Sequence, residues 1–288
     1  MDFIDLHVHS NASDGTLSPA EITMLATEKQ LFAFALTDHD TVDGIAQVYE
    51  TLDTLSSKNC DLIPQFIPGI ELSCYYQNRE LHILGFFIDY QNTDFLNALE
   101  DLKIKRENRN LEMVALFRKD GIDMTMEKLK AGNPNSVITR AHFARALMEE
   151  GICKTKDQAF KQYLGVKCPY YLPKPKITPE HAMGLIKKAN GLAVLAHPYL
   201  YKLGHAKIEE LICFLIPLGL DGIEAYHSSN YPYESDKLRS LALKYNLVIT
   251  GGSDFHGTNK PDIEIGIGRG GLRIHKKLLE NLRQKSEK

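Results

Sequence analysis

The stretch MDFIDLHVHSNASDGTLSP, residues 1–19, runs from a short apolar segment into a helix-start signal. Its first part, "DFIDLH", is strand-like and leads into His7 and His9. That i, i+2 spacing puts both side chains on one face of a strand. Its last part opens a helix: Ser18 is placed to cap it, Pro19 suits the first helical position and Glu21 the third. Asp14 stands in the loop between them, five residues after His9. Two imidazoles on one face at a strand's carboxyl end can share a metal ion. Taken alone, the same H-x-H also reads as the polar start of a surface loop.

The same alternation recurs downstream. "FAFALTDHD" reads as a second strand, followed by a helix in "IAQVYETLDTLSSK". "QFIPGIELSCYY" and "RELHILGFFID" read as strands joined by a turn around Asn78. "GLAVLAHP", "DGIEAYH" and "LVITGGSDFH" follow, separated by helical patterns at about 179–190, 205–218 and 233–245. Repeated strand–helix units predict a mostly parallel sheet, open or closed into a barrel. Residues 94–170 differ: the pattern is helical, with stops at Gly121, Gly151 and Gly165. We read 94–170 as a helical insert in an α/β domain formed by 1–93 and 171–288.

The chain has 288 residues, 43% hydrophobic and 25% charged, the profile of a globular protein. A net charge of −3 argues against wide electrostatic capture of nucleic acid. Asp2 and Asp5 stand where a signal peptide needs basic residues, and no stretch approaches the ~18 apolar residues of a membrane span. The five cysteines are scattered, with no C-x-x-C. This predicts a reduced cytoplasmic protein with no membrane partner, whose metal sites are built from His and carboxylates.

Chemistry-bearing residues gather on the strand-like runs. The first leads into His7 and His9, and the second ends in Asp38-His39-Asp40. The third carries Glu71, the fourth His82 and the fifth ends in His197. The sixth carries Glu224 and His227, and the seventh ends in Asp254-Phe255-His256. In parallel α/β folds the strands' carboxyl ends converge on one face. A His and carboxylate mix without thiolate suits catalytic Zn²⁺, Mn²⁺ or Fe²⁺, and eight or nine ligands fit two or three ions. Paired ions can hold a bridging hydroxide as nucleophile and stabilise a leaving oxygen, so phosphoester hydrolysis is the expected reaction.

In that order, "DLHVHSNASDGT", "ALTDHDTVDG", "PGIELS", "LHILGF", "VLAHP" and "GSDFHG" resemble the motifs of the PHP (polymerase and histidinol phosphatase) superfamily, from residue 2 to about 257. "TDHDTVDG", "GSDFHG" and "TRAHFARAL" most resemble the bacterial nucleoside 3′,5′-bisphosphate phosphatases, whose relatives include 5′-to-3′ exoribonucleases on short RNA. The resemblance implies a distorted (β/α)₇ barrel with a trinuclear site. It implies His7, His9, Glu71 and Asp254 on a first metal, Glu71, His82 and His197 on a second, and Asp14, His39 and His256 on a third. In some relatives a histidine stands at the position of Asp14.

Further roles are expected around that centre. Asp38 is read as a catalytic-site residue orienting a histidine or a metal's water, with Asp40 a weaker candidate. Arg140 matches a family arginine and is the leading phosphate-binding candidate, with His142 and Arg145 in the same segment. Arg106 and Arg109 share a helix face and are candidates for substrate or RNA-backbone contact, beside Lys103 and Lys105. His227 is a candidate for substrate binding or proton donation. His181, His205 and His275 read as surface residues, and "GIGRGG" at 266–271 as a plain loop. The expected activity removes the 3′-phosphate of nucleoside 3′,5′-bisphosphates to leave the 5′-monophosphate, with short RNA a further substrate. The competing readings are a histidinol-phosphate phosphatase, a metal hydrolase of the TatD or amidohydrolase type, and a non-catalytic PHP regulatory module. Oligomeric state is not readable from these patterns.

Overall fold

The computed structural model describes residues 2–287 apart from 59–61, 78, 132–133, 135 and 174–176, so Cys60 and the turn expected at Asn78 lie outside the described residues. Seven strands form one sheet in chain order: β1 Ile4–Val8, β2 Ala33–Leu36, β3 Gln65–Tyr76, β4 Arg79–Phe86, β5 Leu192–Leu195, β6 Leu220–His227 and β7 Val248–Gly252. Six strands share one direction. β4 runs against both neighbours, as the second arm of a hairpin with β3. The sheet curls until its last strand meets its first: Val8 bridges Phe255 in parallel, and the Asp254 N–H donates to the His7 carbonyl at 2.9 Å.

That seam fixes one residue type. A Cβ on Gly252 would lie 2.2 Å from the Cβ of His7, so only glycine lets β7 approach β1 this closely.

The βα units form where their end signals stand. α1 (Pro19–Glu28) carries the complete Ser18–Glu21 capping box with proline in its first turn. α2 (Ile45–Ser57) follows β2. Side chains alternate across the sheet as strand geometry requires. Phe34 and Leu36 pack outward with Ile22, Ala26 and Val48. Ala33 and Ala35 pack with Ile4, Leu6, Leu84, Phe86 and Val194 on the opposite face.

α3 (Thr93–Lys119) is 27 residues long and belongs to two cores. Phe95 and Leu99 join the α/β core with Ala182 and Ile186. Met113 and Phe117 join a separate cluster with Phe143, Leu147 and Leu164. α4 (Met126–Leu129), α5 (Arg140–Glu149) and α6 (Lys156–Ala159) complete the helical region. α7 (Pro179–Lys188), α8 (His205–Leu215) and α9 (Pro232–Lys244) cover the second half of the sheet, and α10 (Lys277–Ser286) ends the described chain. No helix of the described residues is long and apolar enough to cross a membrane.

Gly252→Ala is expected to lower stability by about 1–3 kcal/mol or more through this overpacking. Urea unfolding of the variant beside the native chain measures it.

Candidate metal centre

Glu71 sits in mid-strand, with its carboxylate facing two groups of histidines. Oε2 lies 3.2 Å from His7 Nε2 and 3.1 Å from His9 Nε2, and those nitrogens are 3.0 Å apart. Asp254 Oδ1 stands 3.7 and 3.5 Å from the same two nitrogens. Oε1 lies 2.8 Å from both His82 Nδ1 and His197 Nε2, which are 3.3 Å apart. A third group surrounds Asp14 Oδ1: His256 Nε2 at 3.2 Å, His9 Nδ1 at 3.9 Å and His39 Nε2 at 4.0 Å. His39 Nδ1 is 3.2 Å from Glu71 Oε2 and ties this group to the first. All nine side chains expected to bind metal therefore meet in one cluster.

Donor atoms around an ion at about 2.1 Å stand roughly 3.0–3.4 Å apart, depending on coordination number. The first two groups approach that spacing, and the third is wider. Hydrogen bonding does not account for the cluster. His9 Nδ1, Asp14 Oδ1, His39 Nδ1 and His197 Nδ1 are buried without a hydrogen-bond partner. Such atoms are rare in folded chains and point to an ion or water as partner. The donor set fits divalent metals, with no thiolate in it.

Electrostatics keeps the three carboxylates of the cluster ionised. Burial alone would raise the Glu71 carboxyl, but the His39, His82 and His7 rings hold it well below the usual range. Burial likewise opposes ionisation of Asp14 and Asp254. His256 and His39 reverse this for Asp14, and Lys260, His256 and His7 reverse it for Asp254. Burial pushes His39, His197 and His256 down, toward the neutral form that binds metals. Burial also opposes the charged forms of His7 and His82, but Glu224, Glu71 and Asp254 carry His7 well above its usual range, and Glu71 and Glu80 carry His82 up to about 9.

Neighbouring side chains hold the donors in place. Glu224 accepts from His7 Nδ1 at 2.9 Å and from the His197 N–H at 2.7 Å. Carboxylate support of this kind fixes which ring nitrogen faces inward. The Asp40 N–H donates to the Glu71 carbonyl at 3.0 Å, and the Glu71 N–H to the Asp38 carbonyl at 3.1 Å, so His39 and Glu71 share one frame. Asp38 does not face the donor cluster. Its carboxylate accepts from Ser10 N–H, Ser10 Oγ and Ser13 Oγ at 2.8, 2.6 and 2.6 Å and so braces the loop between His9 and Asp14. Burial raises its carboxyl to about 6 against those hydroxyls. His197 and Asp254 have φ of +27° and +59°, strain of the kind that persists at functional sites.

Several expected substrate contacts are placed elsewhere. His227 uses both ring nitrogens: Nδ1 accepts from the Ser229 N–H at 3.1 Å and Nε2 donates to Asp254 Oδ2 at 3.2 Å. Both ring nitrogens are thereby engaged, and the ring braces Asp254. His142 Nδ1 accepts from the Thr139 N–H at 3.1 Å, closing the cap of α5. Arg106 is buried and paired with Asp40, which also accepts from the Ser73 N–H at 2.8 Å. Arg109 is buried and donates to Asn110 Oδ1 at 2.7 Å. Neither is a solvated arginine reaching for RNA. Arg145 donates to the Lys128 and Leu129 carbonyls.

Arg140 does face the metal donors. It lines a cleft of about 310 Å³ with Asp14, His39, Glu71, His82 and His256. Its guanidinium lies over the rings of Phe160 and Tyr171 and donates to Glu80 Oε2 at 2.9 Å. Two further cations line the cleft, Lys156 and Lys260. Lys260 Nζ lies 2.5 Å from Asp254 Oδ2, and Lys156 Nζ donates to the Asn259 carbonyl at 3.4 Å. Sequence reasoning missed both lysines, because a single lysine in a loop or at a helix start has no signature.

Stripping divalent ions with a chelator is expected to lower the thermal midpoint and abolish phosphoester hydrolysis. Adding Mn²⁺ back should restore both, since an ion that binds only the folded chain stabilises it. Calorimetry and phosphate release on the same samples check this.

The chain is similar to proteins already known. The PHP domain family model matches residues 5–197. The chain is 33% identical over 263 residues to the 5′-3′ exoribonuclease Rnm of Escherichia coli K12, covering 91% of this chain and 87% of that protein. It is 32% identical over 265 residues to the 3′,5′-nucleoside bisphosphate phosphatase of Chromobacterium violaceum, covering 91% and 90%. A crystal structure from Bifidobacterium adolescentis, assigned as a metal-dependent phosphoesterase, superposes with a TM-score of 0.84 at 27% identity, covering 98% of this chain and 96% of that one. A donor cluster fit for divalent metals, on a fold shared with the Bifidobacterium structure, makes this chain a metal-dependent phosphoesterase that belongs to the PHP domain family.

Proposed function

We propose that the enzyme hydrolyses the 3′-phosphate of nucleoside 3′,5′-bisphosphates and leaves the nucleoside 5′-monophosphate. The observation that carries the reading is the pairing of walls in one cleft, metal donors on one side and Arg140, Lys156 and Lys260 beside them. A substrate with one phosphate needs the first wall only. A substrate with two anionic groups uses both.

His7, His9, Glu71 and Asp254 would hold one ion, Glu71, His82 and His197 a second, and Asp14, His39 and His256 a third, drawn from Mn²⁺, Zn²⁺ or Fe²⁺. When bound, the ions supply an activated water and neutralise charge on the phosphoryl oxygens. Arg140 binds the second phosphate through its planar fork, pre-oriented by Glu80 and the two aromatic rings. Glu80 also lies 3.4 Å from His82 Nε2, so phosphate binding and metal ligation share a support. Residues 94–170 act as an insert that supplies one wall of the cleft, and residues 1–93 and 171–288 as the catalytic barrel. The four described cysteines are free, which supports a reduced, cytoplasmic setting.

A second substrate, short RNA degraded from its 5′ end, is favoured by Tyr231 and Tyr233. They follow the carboxyl end of β6, are 65% and 57% exposed, and stack at 5.8 Å with Lys237 over one ring. Exposed aromatics beside a cation are stacking platforms for single-stranded bases.

Phosphate release with Mn²⁺ from adenosine 3′,5′-bisphosphate and histidinol phosphate, with mononucleotide release from a short 5′-phosphorylated RNA in parallel, tests the reading. Fast release from the bisphosphate, giving AMP, is expected. Turnover of histidinol phosphate alone would overturn the substrate assignment. Glu71→Gln and His9→Ala should each abolish hydrolysis with the fold intact by circular dichroism. Arg140→Ala should raise KM for the bisphosphate about tenfold or more, the worth of a charged hydrogen bond of about 1.5–3 kcal/mol.

A further inference from the structure

We infer that Thr139, in the helical region, is a positioning residue for Asp14, so that the third ion site is completed from outside the barrel. The inference rests on the proposed reading of Asp14 as a metal ligand.

Asp14 offers its Oδ1 to the His256 and His39 nitrogens, and that atom has no hydrogen-bond partner. Its Oδ2 is held by Thr139 Oγ1 at 3.1 Å. The carboxylate is thus oriented through Oδ2, which leaves Oδ1 turned toward the two histidines. Thr139 Oγ1 accepts from the Ala141 N–H at 3.1 Å as the cap of α5, so its hydroxyl hydrogen remains to be donated. His142 Nδ1 lies 3.3 Å away but already accepts from the Thr139 N–H. A carboxylate is the stronger acceptor, and the hydrogen goes to Asp14.

The contact is part of a docked segment. Ser136 Oγ donates to the Ser13 carbonyl at 2.6 Å, and the Val137 N–H to the Ala12 carbonyl at 2.9 Å. Residues 136–139 therefore grip the loop from Ala12 to Asp14, while Asp38 holds Ser10 and Ser13. The third donor group is also the widest of the three, so its geometry depends most on this outside support.

The test counts Mn²⁺ ions per chain by mass spectrometry across a range of free Mn²⁺, alongside the thermal midpoint, in the full-length protein. Thr139→Val removes the donor, Thr139→Ser keeps it, and Asp14→Asn removes the carboxylate. Thr125→Val removes a comparable helix cap, that of α4. The expected result is that Thr139→Val weakens the loosest ion about 10- to 100-fold, as loss of a ligand's support does. Asp14→Asn should lose that ion, while Thr139→Ser and Thr125→Val keep it. Full occupancy in Thr139→Val with loss in Asp14→Asn would overturn the role of Thr139 and leave Asp14 as ligand. Full occupancy in Asp14→Asn would overturn the ligand reading and the inference with it. Equal loss in Thr125→Val would show a general effect of insert stability and overturn the inference.

Discussion

The site depends on one buried carboxylate that faces two ways. Glu71 turns Oε2 to His7, His9 and His39 and Oε1 to His82 and His197, with all five nitrogens between 2.8 and 3.2 Å. A carboxylate this deeply buried survives as an anion only if positive charge compensates it. The surrounding imidazoles do so in part, and divalent ions would complete it. Much of the remaining architecture keeps those five rings at their places.

The fold meets that demand by departing from a plain parallel barrel. β3 and β4 form a long hairpin with Ser73 opposite His82, so Glu71 and His82 stand in mid-strand instead of at strand ends. The two arms of this hairpin both send donor side chains into the cluster, Glu71 from β3 and His82 from β4. At the opposite seam Gly252 admits β7 against His7, bringing Asp254 to the same nitrogens that Glu71 faces. Buried acids Asp5, Asp38 and Glu224 tie the loops down from behind. Asp5 accepts from the N–H groups of Ser253 and Gly266 at 2.8 and 2.7 Å.

Most of the donor cluster was legible because metal-type donors, His and carboxylate, fall on nearly every strand-like run. The H-x-H spacing, the Asp-x-His spacing and the run of βα signals each carry a geometric meaning before any coordinates exist. The direction of β4 was implicit in the turn expected around Asn78, since strands joined by so short a connection pair antiparallel. Charged helix residues misled. Arg106 and Arg109 share a helix face by spacing and read as contacts for substrate or RNA, yet both are buried, and Arg106 neutralises Asp40, a partner 66 residues away that no periodicity reveals. His227 and His142 likewise spend their nitrogens on local support. Thr139, Lys156 and Lys260 were invisible because a threonine or lysine acquires its role only from what the fold places beside it.

The central claim is that Glu71 bridges two ion sites, and the most direct measurement is a crystal structure grown with Mn²⁺ and phased to show anomalous peaks. The account predicts a strong peak on each side of Glu71, one among His7, His9 and Asp254 and one between His82 and His197. Density for only one ion near Glu71 at saturating Mn²⁺, or peaks away from these nitrogens, would contradict it.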